Sequence, residues 1–390
     1  MYKILLIVDY SSEFSRKLLK GLVRYSKEHS SWIFYRLPAY YKTLYGKEGI
    51  IEWAKDWKAD AIIAQWDHEG TNLLQQLEIP VILQNLKQRS PFYSNLTGDY
   101  KGTGKLAAQF FAKKRFRNFA FYGNKGVIWS QERAEGYRNE VERIGGNYYY
   151  FESENLSDDS WGQSRIELED WINSLPKPIA LFACDDSFAV QVAELCKINN
   201  IKIPDDISLL GVDNDELLCN LSDPTISSIV LDVEKGGYEA GRLIHMLIEK
   251  KRTEPFNIIV NPTRIELRQS TEKYNIENPY IAKVVTYIEN NFTEDISIDS
   301  FTDIVPLSRR NLEIKFKNEM GISIYQFILN CRVEYFAMLL ISTDRTLIDL
   351  ALESGFCDSK NISRIFKKFK DCSPAEYRKK HQQENNISDL

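Results

Sequence analysis

The chain lacks a run of apolar residues long enough to span a bilayer, lacks any CxxC pair, and has only four histidines, all far apart. Each absence excludes a class. A membrane helix needs roughly 18 or more consecutive apolar residues, and no stretch approaches that. The opening "MYKILLIVDY" offers only the short run ILLIV before Asp9. A secretory h-region needs about 7–15 such residues, so a soluble, cytoplasmic protein without membrane contact is expected. The six cysteines (184, 196, 219, 331, 357 and 372) are scattered, which favours reduced thiols over a disulfide framework or a zinc site. His29, His68, His245 and His381 form no HExxH, and there is no nucleophile elbow and no GxGxxG opening a strand–helix turn. "GDYKGTGK" (98–105) has five residues between its outer glycines and Leu106 after the lysine, missing the phosphate-loop pattern twice. No enzyme, catalytic residue, metal or cofactor is expected.

A chain of 390 residues exceeds one hydrophobic core, so more than one domain is expected. From residue 3 to about 270, continuous apolar runs alternate with amphipathic stretches. The runs are 3–8, 61–66, 81–85, 118–123, 179–184 and 208–213; the stretches include 14–27, 101–113, 132–144 and 187–199. Unbroken apolar strands suit a parallel sheet covered on both faces, and the alternation predicts two doubly wound α/β units. The strands end in polar residues, among them Asn85, Asp185 and Asp213, and ligands of open α/β sheets bind beyond such ends. After the polar stretch "EKYNIENPYI" (272–281) every periodic segment is helical. The expected division is 1–272, a linker at 273–279, an all-α domain at 280–382 and a frayed tail at 383–390.

In "SKNISRIFKKFK" (359–370), Ile362, Ile365, Phe366 and Phe369 form one apolar stripe, with Lys360, Arg364 and Lys367 opposite. The preceding helix, "TLIDLALESGF", stops at Gly355, and Asp358 or Ser359 can cap the basic helix. Helix, Gly turn and basic helix make a helix-turn-helix layout, whose second helix enters a major groove. Alone, the pair is equally a solvated hairpin. A second copy at 297–317 favours DNA: Ser308 caps a helix with Leu312 and Phe316 inward and Arg310, Glu313, Ile314 and Lys317 outward. One long apolar helix, about 323–341, lies between the copies.

"GFCDSKNISRIFKKFKDCSPAEYR" (355–378) and "RVEYFAMLLISTD" (332–344) resemble the AraC-type transcription regulators over about 100 residues. That resemblance implies DNA contacts from Ser308, Arg309, Arg310, Glu313, Ile314, Lys317, Ser359, Lys360, Asn361, Ser363, Arg364, Lys367 and Lys368. Pro306 stands where the first turn usually carries glycine and cannot reach positive φ; Thr302 and Asn361-Ile362 are further departures. "RAEGYR" (133–138), "FACDDSFAVQVAELC" (182–196), "IPDDISLLGVDNDEL" (203–217) and "GDYKGTGKLAAQFF" (98–111) resemble the effector domain of LacI/GalR regulators, relatives of periplasmic sugar-binding proteins. No helix-turn-helix is expected before the first strand. Joined in this order, the halves resemble the xylose-operon activators, with "WSQERAE" (129–135) and "GVDNDEL" (211–217) as further likenesses.

The resemblance implies a two-lobed periplasmic-binding-protein-like domain followed by two helix-turn-helix units. It also implies a sugar-responsive activator binding promoter DNA as a homodimer, with RNA polymerase as a further partner. The effector it points to is D-xylose, with L-arabinose or a hexose as the alternative. By motif, Arg133, Asp185 and Asp213 are the polar contacts of the second lobe and Asn85 a partner from the first; Trp129, Trp66 and Phe14 are candidate walls. Sugar chemistry fits: vicinal hydroxyls are met by carboxylates and an arginine fork, and the CH face by an aromatic ring. Asp186 and Asp99 are expected to be helix caps.

Overall fold

A computed structural model of the chain describes residues 1–29, 31–37, 39–66, 71–84, 87–153, 161–251, 254–343, 345–356 and 359–383. It divides into two compact units, Met1–Lys273 and Tyr274–Leu390.

The first unit runs β1 (Tyr2–Ile7), α1 (Glu13–His29), β2 (Trp32–Arg36), α2 (Ala39–Trp57), β3 (Ala61–Gln65), α3 (Thr71–Gln75), β4 (Val81–Gln84) and β5 (Ser94–Gly98). It continues α4 (Tyr100–Lys113), β6 (Asn118–Asn124), α5 (Ile128–Arg143), β7 (Asn147–Ser153), α6 (Trp161–Ser174), β8 (Ile179–Ala183), α7 (Asp186–Ile198) and β9 (Ile207–Val212). It closes with α8 (Glu216–Leu221), β10 (Ser227–Leu231), α9 (Val233–Ile248), β11 (Asn257–Val260) and β12 (Pro262–Glu266). Two six-stranded sheets result, ordered β11-β5-β4-β3-β1-β2 and β12-β10-β9-β8-β6-β7. Every pair is parallel except β10–β12. This is the α/β two-lobed architecture expected. The central strands β3 and β8 are buried along nearly their whole length, as strands covered on both faces must be.

The chain passes between the lobes three times, at Asp99, Asp232 and Asn261, and these crossings are tied together. The Asp99 amide donates to the Val260 carbonyl at 2.9 Å and the Asp232 amide to the Asn261 carbonyl at 3.0 Å. The Asn261 amide donates back to Asp232 Oδ1 at 2.5 Å. Asp99 also caps α4, accepting from the Gly102 amide, as expected.

The second unit holds α10 (Pro279–Asn291), α11 (Phe301–Ile304), α12 (Arg309–Met320), α13 (Ile324–Ser342), α14 (Leu347–Glu353), α15 (Ser359–Lys370) and α16 (Pro374–Gln383). It has two cores. Leu312, Phe316, Ile324, Phe327 and Ile328 belong to one; Val333, Phe336, Leu340, Ile362 and Phe366 belong to the other. The single helix α13 serves both. Contrary to the sequence expectation, Ile324–Ile341 is long and apolar enough to cross a membrane, by length and composition. Its apolar character is explained by these two cores, one at each end.

Candidate effector cleft and nucleic-acid interface

The carboxyl ends of the two sheets meet at a cleft. On α5, Trp129 and Arg133 lie one turn apart and so share a face. Arg133 is only 3% exposed. Its guanidinium sits 5.3 Å from the Trp129 ring centre and 5.5 Å from that of Tyr100, and Nη1 donates to the Cys184 carbonyl at 2.5 Å. Nη2 lies 3.7 Å from Asp213 Oδ1, beyond hydrogen-bonding distance. Both Arg133 Nε and Asp213 Oδ1 are buried without a hydrogen-bond partner. Burial pushes the Asp213 carboxyl above its ordinary range, against the opposing pull of Arg133.

Backbone geometry fixes these groups. Gly104 on α4 lets α5 approach so closely that a Cβ there would lie 2.1 Å from the Arg133 carbonyl oxygen. Asp213 and Asn214 are consecutive left-handed residues, at φ 96° and 48°, a conformation that short polar side chains tolerate best. Lys17 on α1 holds that turn from the opposite lobe, donating to the carbonyls of Asp213 (2.9 Å) and Asn214 (3.3 Å). Two further pairs span the lobes. Arg16 reaches Asp215 at 2.9 Å, and Arg89 grips Glu132 through both terminal nitrogens at 2.7 Å. Lys17, Arg16, Arg89 and Tyr100 were missed by sequence reasoning; the Asp-Asn pair ending a strand was the one signal of an unusual turn.

The remaining expected cleft residues divide. Phe14 is half-buried on the first turn of α1 and Trp129 half-buried at the start of α5. Trp66 is not a wall: it is 0% exposed and belongs to a core cluster with Ile7, Leu37 and Leu83. Asn85 lies outside the described residues. Asp185 and Asp186 exchange roles. Asp185, with extended backbone, is the N-cap of α7, accepting from the Phe188 amide at 3.0 Å and the Ser187 hydroxyl at 2.6 Å. Asp186, expected to be a cap, is instead 2% exposed and accepts from the Asp215 amide (2.7 Å) and the Ser228 hydroxyl (2.6 Å), bracing the turn that carries Asp213.

In the second unit, α12 and α15 are each twelve residues long. They match at an offset of fifty: Leu312 and Phe316 are buried where Ile362 and Phe366 are. Gly321 and Asp371 close them with φ of 71° and 59°. Ser323 caps α13, and Ser373 accepts from the Glu376 amide at the start of α16. The turns differ. Gly355 takes φ 82°, and a Cβ there would approach the Thr293 carbonyl to 2.7 Å. Contrary to the sequence expectation, the position matching Gly355 is Val305 and not Pro306; Val305 is extended, at φ −134°, so the first turn asks for no positive φ there.

Outward faces are as expected. Ser308, Arg309, Arg310, Glu313, Ile314 and Lys317 are exposed, as are Asn361, Ser363, Arg364, Lys367 and Lys368. Ser359 and Lys360 head α15, but their side chains lie outside the described residues. Among the described residues of α12 and α15, Arg309 bonds Asp299 at 3.0 Å and Glu313 at 3.3 Å, and half-buried Lys370 bonds Glu334 at 2.6 Å.

Comparison with known proteins agrees with this division. A periplasmic binding protein-like domain matches residues 108–271, and a helix-turn-helix domain matches 301–380. The xylose operon regulatory protein of Escherichia coli (strain K12) is 26% identical over 386 residues, covering 97% of each chain. That of Haemophilus influenzae is 27% identical over 387 residues, covering 97% of this chain and 98% of its own. The structure of a xylose-binding transcription activator superposes with a TM-score of 0.61 at 25% identity, covering 97% of each chain. The chain joins a periplasmic-binding-like domain to a C-terminal DNA-binding domain, the plan of a transcription regulator.

Proposed function

We propose that this regulator answers to a pentose, D-xylose in the first instance, and binds promoter DNA through α12 and α15. The observation that carries the effector reading is that one buried ion pair, Arg133 with Asp213, leaves two buried polar atoms without a hydrogen bond, the Arg133 Nε donor and the Asp213 Oδ1 acceptor. A sugar's vicinal hydroxyls both accept and donate, and so satisfy such a pair together. Trp129 supplies the aromatic surface for the CH face. Asp185, although a cap, follows β8 next to the strand that ends in Asp213 and remains a candidate contact, as does Asn85 from the first lobe. The end-to-end similarity to xylose operon regulatory proteins supports D-xylose over L-arabinose or a hexose.

Sugar binding is read out through the lobes. A ligand gripped by both sheets favours closure about the three tied crossings, and the ion pairs from Arg16 and Arg89 add to the closed form. We further propose that the protein acts in the cytoplasm as a homodimer on two half-sites and engages RNA polymerase as an activator; the name of the matched structure, a transcription activator, supports the last role. Isothermal titration of the full-length protein with D-xylose, L-arabinose and glucose tests the effector, and gel shifts with its own promoter, with and without sugar, test the response. Heat with D-xylose and a sugar-dependent shift are expected. No heat with any of the three would reject the effector site; no shift with promoter DNA would reject the reader.

A further inference from the structure

We propose that Ile314 reads a thymine through its 5-methyl group, at the position where Arg364 in the second reader meets a polar base edge. The inference rests on the reading that α12 and α15 enter major grooves.

Three observations carry it. First, the fifty-residue correspondence between the readers places Ile314 and Arg364 at the same point of the outward face, two residues after Leu312 and Ile362, which are both buried. Second, Ile314 is 51% exposed while the other apolar side chains of α12, Leu312, Phe316 and Met320, are buried. On α15 the apolar side chains, Ile362, Ile365, Phe366 and Phe369, are all buried or half-buried. The first reader therefore presents an aliphatic group at the centre of its face, and the second presents a guanidinium. Third, Ile314 is flanked by exposed cations one turn to either side, Arg310 and Lys317, suited to the phosphates on each side of a groove. The nearby Glu313, which would repel phosphate, is held by Arg309.

Between those cations a β-branched side chain meets base edges. Guanine, adenine and cytosine present donors and acceptors in the major groove; thymine alone adds a methyl group. An isoleucine beside the polar edges removes water from them without replacing its hydrogen bonds, whereas beside thymine it buries apolar surface against apolar surface. The two readers thus recognise different chemistry with one backbone frame.

Uracil tests this because it differs from thymine by that methyl alone. A duplex is selected from a random pool by the full-length protein with D-xylose, and each consensus thymine is then replaced by uracil in both half-sites. At one thymine position the wild type should lose about fourfold in affinity per contact, the equivalent of ~0.8 kcal/mol for one buried carbon group. Ile314→Ala should bind the thymine and uracil duplexes alike, Ile314→Val should keep most of the discrimination, and Arg364→Ala should keep all of it. If no uracil substitution weakens wild-type binding, or if Ile314→Ala discriminates as well as wild type, the inference is overturned while DNA binding stands. If selection enriches no sequence, the reader assignment falls with it. Because Ile314 is exposed, the alanine variant should unfold at the wild-type temperature, so a loss of discrimination cannot be a loss of fold.

Discussion

The cleft and the DNA-reading faces handle charge in opposite ways. In the cleft, Arg133 and Asp186 are almost wholly buried, and the surrounding backbone is shaped around them through Cys184, Asp215 and Ser228. On the readers, Arg364, Lys367 and Lys368 stand in solvent. A buried charge must be answered by the protein or a ligand, so its removal disturbs folding and binding together. An exposed cation is answered by water and salt until it takes the place of counterions condensed on DNA, so its removal is felt only in the complex.

Substitutions at five positions, in order of expected effect, can break or sharpen that contrast. Asp186→Ala strands two buried donors and should destabilise the first unit by about 3 kcal/mol in urea unfolding. The pH dependence has a definite sign. Burial holds the Asp186 carboxyl well above its ordinary range, so the folded state binds this proton more tightly than the unfolded state does. This contribution to stability is therefore fully present below the unfolded Asp value and is lost as pH rises above it. Wild type should lose stability relative to Asp186→Asn as pH rises above the unfolded Asp value; parallel curves would show that the site does not titrate.

Next, Arg133→Ala and Asp213→Asn should each weaken D-xylose binding at least tenfold by calorimetry, since losing a partner of a buried charged hydrogen bond costs on the order of 2–5 kcal/mol. If both bind as wild type does, the effector lies elsewhere. On the exposed side, Arg364→Ala should cost about 1–3 kcal/mol on the selected operator and relax preference at one base position, with no change in urea midpoint. Lys368→Ala should be the mildest. Its affinity should fall alike on operator and scrambled duplex, and the slope of log affinity against log salt should drop by about one. A sequence-selective loss at Lys368 would blur the distinction between reading and holding.

The same contrast explains what the sequence disclosed. The six strands visible as apolar runs are β1, β3, β4, β6, β8 and β9, which lie inside the sheets. Those overlooked are largely edges, or are polar despite being buried. β5, "SNLTG", is buried along its length, because Asn95 donates to the Ser90 and Tyr93 carbonyls and to Asn257, and Thr97 accepts from Arg89. Hydrophobicity cannot register a strand held by hydrogen bonds. Adjacent aspartates defeated the assignment of caps for a related reason: whether Asp185 or Asp186 turns inward depends on where α7 starts, and that is set by extended backbone at Asp185. On the readers the pattern was legible almost residue by residue, because a two-faced helix records in its own periodicity which side meets the core. The tertiary partner of Lys370, Glu334, lies on another helix and leaves no mark in that periodicity.

The shared helix α13 has a consequence for how weakly each reader can bind. A stiff tether of 19 residues, about 28 Å at helical rise, holds both reading helices on one frame. Once one is seated, the other meets DNA as an intramolecular event at high effective concentration rather than as a fresh encounter. Two readers of modest affinity then behave as one tight reader, and scrambling the bases beneath either forfeits the tether's gain as well as that reader's own contacts.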